Sequence, residues 1–203
     1  MLQNRVDPFG DIIRTPARGA WMGNRGLIHN NKKEMVRPYK LIPWITCVLE
    51  FKGWHREVMT PNRYTELFFM DEATAFSAGH RPCSECRRSD YQRFKDFWIK
   101  GNPEYGFTMK TLIGKIDAII HAERIAADKS KVTYEENLNK LPDGAFVLYE
   151  HKPYLIKRGK IYLWTPFGYE KSLDLPQTDK LPVLTPRSVI NTFSAGYVPQ
   201  MAV

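Results

Sequence analysis

Apolar and polar positions alternate most clearly between residues 45 and 51, where Ile45, Cys47, Leu49 and Phe51 interleave with Thr46, Val48 and Glu50. That period of two predicts a half-buried strand, ended by Gly53-Trp54-His55. A second short strand, Glu66-Leu67-Phe68-Phe69, precedes Asp71, which is placed as the N-cap of a helix from Glu72 to Phe76 that stops at Gly79. After Cys86 the spacing becomes helical. Tyr91, Phe94, Phe97 and Trp98 predict a helix to about Lys100, terminated by Gly101-Asn102-Pro103. A third helix is expected over 111–128, with Leu112, Ile113, Ile116, Ile119, Ile120 and Ile125 on its apolar face.

Residues 1–40 carry several turn signals and no sustained period, so they are expected to form an irregular arm. Residues 128–144 are polar and close on the turn Pro142-Asp143-Gly144. This is the expected division between a segment 1–128 and a segment 141–203, within one continuous domain or as two. Ala145–Tyr149, Pro153–Lys157 and Lys160–Trp164 then read as an antiparallel β-meander, with Arg158-Gly159 as a tight hairpin. Thr185 is the expected N-cap of a C-terminal helix that begins at Pro186 and stops at Gly196. The class is α+β.

Of the 203 residues, 43% are hydrophobic and 13% aromatic, enough apolar surface for a core, which argues against disorder. The longest uncharged apolar run, Leu41–Leu49, is too short to span a bilayer. The first residues lack the apolar stretch of a secretion signal, so the chain is expected in the cytoplasm, with no membrane partner.

Charge narrows the partners further. Thirty Lys and Arg against 22 Asp and Glu give a net +8, which favours a polyanion, nucleic acid above all and DNA ahead of RNA. Arg5, Arg14, Arg18 and Arg25 stand among Gly and Pro. In Ala17-Arg18-Gly19 and Asn24-Arg25-Gly26, backbone amides and a guanidinium can approach one phosphate together. The alternative is an arm lying on the core with its arginines in water. Arg81, Arg87, Arg88, Arg93 and Lys95 surround a predicted helix start, where the dipole favours anions. Arg87 can instead pair with Asp90 one turn away. Tyr149, Tyr154, Tyr162, Trp164 and Tyr169 accompany Lys152, Lys157, Arg158 and Lys160, either to stack bases or to fill the core of a small sheet.

Three cysteines, Cys47, Cys83 and Cys86, are too few and odd in number for a disulfide framework. The spacing Cys83-Ser84-Glu85-Cys86 suits two thiolates on one zinc ion, with backbone amides stabilising the sulfur charge. A redox pair, or two buried thiols near a helix start, are the other readings. The run Phe69-Met70-Asp71-Glu72-Ala73-Thr74-Ala75-Phe76-Ser77-Ala78-Gly79-His80-Arg81-Pro82-Cys83-Ser84-Glu85-Cys86 resembles the zinc module of Ada-type methylphosphotriester DNA-repair proteins, over about residues 45–95. The chain as a whole is also similar to a group of bacterial proteins, a likeness that carries no activity with it. The Ada resemblance implies a Zn²⁺ ion that is mainly structural, held by Cys47, His55, Cys83 and Cys86, in a zinc-stapled strand and helix module ahead of the meander and C-terminal helix. His80 is a rival fourth ligand at the family's aromatic position. The repair proteins carry a closely spaced early cysteine pair that includes the methyl acceptor. Here only Cys47 stands in that region, so alkyl transfer is not carried over.

A second constellation keeps an enzyme open. His121-Ala122-Glu123 together with Pro82-Cys83-Ser84-Glu85-Cys86 supplies both parts of the zinc deaminase signature, in reversed order. One imidazole and two thiolates would leave an open metal position, with Glu123 as the proton shuttle. This alternative is a zinc-dependent hydrolase or deaminase acting on a base or nucleotide. In the bland reading His121 and Glu123 simply lie on a solvated helix face.

Overall fold

The first forty residues are not an irregular arm. In the computed structural model, which describes residues 1–53, 57–176 and 180–203, they supply three strands: β1 (Gln3–Val6), β2 (Ile12–Arg14) and β3 (Trp21–Asn24). These join β4 (Ile45–Cys47), β5 (Leu67–Phe69) and β6 (Arg81–Pro82) in a sheet of order β2-β1-β5-β3-β4-β6. Pairing is antiparallel except between β1 and β5 and between β4 and β6. Strands of three or four residues are too short to show a period in the sequence, so the segment carries no strand signal of its own. The strand predicted over 45–51 likewise stops at Cys47, and Leu49 is 51% exposed.

The helices follow the pattern more closely. In α1 (Glu72–Ser77), Asp71 is the N-cap and its Oδ1 accepts from the Thr74 amide at 2.8 Å. Helix α2 (Arg88–Gly101) buries Phe94 and Trp98. Helix α3 (Ile113–Arg124) buries Ile116 and Ile120 but is shorter than expected, and Leu112 just before it is 77% exposed. Helix α4 (Arg187–Ser194) has Pro186 at its N-cap rather than Thr185. The Thr185 hydroxyl instead accepts from the Phe146 amide at 3.0 Å, and Glu123 reaches over from α3 to cap the α4 start.

A second sheet has the order β11-β10-β9-β8-β12-β7 and is antiparallel between every neighbouring pair. Its strands are β7 (Tyr134–Asn137), β8 (Phe146–Tyr149), β9 (Lys152–Lys157), β10 (Lys160–Thr165), β11 (Gly168–Asp174) and β12 (Lys180–Val183). Strands β8 to β10 are the predicted meander. Arg158 and Gly159 form its tight turn with φ of 50° and 71°, the left-handed pair that a two-residue hairpin of the favoured hand needs. The polar stretch taken as a division contributes β7.

One hydrophobic cluster runs through both segments. Phe76, Trp98 and Ile120 pack with Val147, Ile156 and Phe193. A smaller cluster joins Ala73 to Phe146, Leu155 and Leu184. The C-terminal tail is drawn back onto α1, where the Gln200 amide donates to Glu72 Oε2 (2.9 Å), the Ala73 amide to the Gln200 carbonyl (3.1 Å) and the Ala202 amide to Asp71 Oδ2 (3.1 Å). Among the described residues no helix is long and apolar enough to cross a membrane.

Candidate metal centre

The parallel pair β4–β6 sets Thr46 opposite Pro82, and the Cys83 amide continues the ladder by donating to the Thr46 carbonyl at 2.9 Å. Cys83 therefore lies beside Cys47, although 36 positions separate them in sequence. The turn that follows brings Cys86 back to the same point. Their three sulfur atoms lie within 4.8 Å of one another, and all three thiols are free. Around one zinc with Zn–S bonds of about 2.3 Å, tetrahedral sulfurs stand about 3.8 Å apart, so the cluster needs only a small contraction to hold the ion.

The three thiols do not share their charge evenly. A hydrogen bond from Cys47, against some desolvation and with help from the amides of Glu85 and Cys86, lowers the Cys83 thiol to about 5. The Glu85 amide lies 3.4 Å from that sulfur. As donor, Cys47 is pushed up, first by this hydrogen bond and then by burial, while burial pushes Cys86 up. The trio thus holds one negative charge readily and resists a second. A metal dication held there would displace the remaining protons.

Sequence reading placed four other side chains on or near the metal. His55 lies outside the described residues. Among those described, no other His, Asp or Glu joins the three cysteines. His80 is fully buried, packs 4.6 Å from Phe69, and accepts from Arg25 Nε at 3.2 Å through Nε2. Burial, reinforced by Arg25 and Arg124, holds its pKa well below the usual imidazole range, so it stays neutral and packs.

Among the described residues, His121 and Glu123 do not lie with the three cysteines. His121 Nδ1 faces Arg124 Nη2 at 2.8 Å, and burial with that guanidinium lowers its pKa. Glu123 accepts from the backbone amide and hydroxyl of Ser188 at 3.0 and 2.6 Å, satisfying free donors in the first turn of α4. In this arrangement His121 lies against Arg124 on its own helix and Glu123 serves as a helix cap.

The arginines divide sharply. Arg18 and Arg88 are exposed. Arg25, Arg81 and Arg87 are buried with fixed partners, which removes them from the surface a phosphate could reach. Arg25 donates to the Gly10 carbonyl at 2.9 Å and lies 3.9 Å over the Trp44 ring, so the Asn24-Arg25-Gly26 loop turns inward. Arg81 makes a two-pronged bond to Asp117 on α3, both arms 2.8 Å. Arg87 bonds Thr46 on β4 at 3.0 Å, Glu72 on α1 and Asp90 on α2, and so ties these three elements together next to Cys86 in the chain. Lys95 is also turned in, onto the carbonyls of Met109 and Thr111. In the meander Tyr154 and Trp164 are buried, and Trp164 Nε1 donates to Thr74 Oγ1 at 3.0 Å, so these rings fill the core.

Arg124 is the structural residue that the pattern concealed. It donates to the Gly79 carbonyl at 2.7 Å and lies 3.7 Å over the Trp44 ring that Arg25 also contacts. A Cβ on Gly79 would come within 2.3 Å of its side chain, which explains the glycine that ends α1 and gives it a φ of +82°. Comparison with models of protein families, with curated proteins and with solved structures finds no match to the chain.

Proposed function

We propose that this is a zinc protein in which the metal is structural, held by Cys47, Cys83 and Cys86 with His55 as the fourth ligand, and that its basic surface engages nucleic acid. The observation that carries the metal reading is the convergence of three sulfurs from β4 and the turn after β6. Thiolates select zinc among the common divalent ions. A closed set of three sulfurs and one nitrogen leaves no position for water, so its role is to fasten β6 to β4. The fourth ligand comes from the sequence resemblance. Support for a polyanionic partner comes from the net +8 and from Arg14, Arg18 and Arg88, which are exposed and make no ion pair among the described residues.

Elemental analysis of protein purified without chelator is expected to give one zinc per chain. His121→Ala should keep that zinc in full and lose about 1–2 kcal/mol through the missing hydrogen bond to Arg124. A zinc-free chain, or loss of zinc in His121→Ala, would remove the closed-site reading. Binding to an oligonucleotide should weaken steeply with salt. If three arginines meet phosphates, the slope of log affinity against log salt is about −2 to −3. No binding at low salt would dispose of the nucleic-acid half of the proposal.

A further inference from the structure

The outer face of the first sheet carries a charge arrangement that the fold leaves unbalanced. Arg5 on β1 and Phe68 on β5 are register partners in a parallel pair. Val6, Leu67 and Phe69 point into the core, so alternation turns Arg5 and Phe68 outward together. The Arg5 guanidinium lies 4.9 Å over the Phe68 ring. Its Nε donates to the Ala17 carbonyl and its Nη1 to Asn4 Oδ1, which fixes the plane and leaves Nη2 without a protein partner among the described residues.

The Ala17-Arg18-Gly19 segment is pinned to the same face. The Ala20 amide donates to the Phe69 carbonyl at 2.9 Å. A Cβ on Gly19 would stand 2.6 Å from the Phe69 oxygen and 2.8 Å from the Phe68 Cβ, so only glycine lets the segment lie this close. Arg18 thereby comes near enough for its charge to add to burial in lowering the pKa of Arg5. Neither guanidinium has a carboxylate partner among the described residues. On one side of Arg5 opens a pocket of about 330 Å³ whose lining includes Leu2, Asn4, Thr15, Pro16 and Phe68, a size that suits a small ligand; Arg18 stands outside it, on a narrower cleft that it shares with Arg5 and Phe68.

We infer that Arg5 and Arg18 form a subsite for the phosphate of a nucleotide, with the adjoining pocket taking the flat or apolar remainder of the molecule. Two like charges held side by side repel until a dianion or diester joins them, and guanidinium forks match phosphate oxygens in pairs. The inference rests on the nucleic-acid reading and makes it specific, because a free nucleotide and a strand present the same phosphate ester.

The test titrates the full chain with a nucleoside 5′-monophosphate, with inorganic phosphate and with a single-stranded oligonucleotide. Arg18→Glu is compared with Lys110→Glu, the same charge change in the segment between α2 and α3; both positions are exposed, and thermal denaturation checks that both variants fold. The expected result is that nucleotide and strand both bind, and that Arg18→Glu weakens each by at least about tenfold while Lys110→Glu leaves nucleotide affinity within about twofold. The nucleotide should bind more tightly than inorganic phosphate; equal affinity would remove the pocket from the proposal. Nucleotide binding that depends on Arg18, with no strand binding, upholds the subsite and overturns the nucleic-acid reading. Strand binding that falls equally in both variants, with no nucleotide bound, overturns the subsite alone. No binding of either ligand overturns both.

Discussion

Cys83→Ser is expected to release the metal and to cost several kcal/mol of stability, the largest loss of any single substitution at the site. Binding free energy at a structural zinc is also folding free energy, because the unfolded chain holds no formed site. The edge it fastens is weak by itself. Strand β6 has only two residues, and it is tied to β4 through a short parallel ladder. Without the ion, Arg81–Asp117 and the Arg87 contacts must hold that edge unaided. A strong chelator should reproduce the effect in the unaltered protein. Elemental analysis and thermal denaturation read the result, and a soluble Cys83→Ser protein with an unchanged melting temperature would refute a structural metal.

Arg87→Met should be the next most damaging change, at about 3–5 kcal/mol, because it strands the buried Glu72 carboxylate. Glu72 would keep the Tyr197 hydroxyl at 3.0 Å and the Gln200 amide at 2.9 Å, but no cation in contact. Adding Glu72→Gln to Arg87→Met should recover part of the loss, since the pair then leaves no naked charge. Urea denaturation of the two single variants and the double variant gives the coupling. Strictly additive losses would show that the two side chains act independently and would defeat this account.

Legibility in the sequence followed the length of each element and the locality of each contact. Helix α2 and the meander were readable because fourteen residues of α2 and the hairpin at Arg158-Gly159 carry complete periods and turn signals. Asp71 was readable as a cap because its hydrogen bond reaches only three residues ahead. Strands β1 to β3 were not, since each ends before an alternation can declare itself. Cys83 and Cys86 were visible from spacing, and Cys47 joined them through a resemblance. The fate of the arginines was hidden for another reason. Arg25, Arg81 and Arg87 look like surface residues, and burial becomes tolerable only through partners such as Gly10, Asp117 and Glu72 supplied by distant segments. No local pattern records such a pairing. Glu123 shows the converse: a motif that suggests proton transfer is spent on capping a helix 65 positions away.

The tail clasped by α1 also fixes an order of events during synthesis. Glu72 leaves the ribosome early, but the amide it receives from Gln200 lies 128 positions further along the chain. Asp71 waits still longer for Ala202. A nascent chain that has completed the first sheet and even the meander therefore still exposes two carboxylates destined for burial. Only synthesis of residues 200–202 lets them be covered, so the closure of α1 waits for that segment however quickly the strands pair. A stalled or prematurely terminated chain would present α1 uncovered, giving quality-control machinery a marker for incompleteness near the middle of the sequence rather than at its broken end.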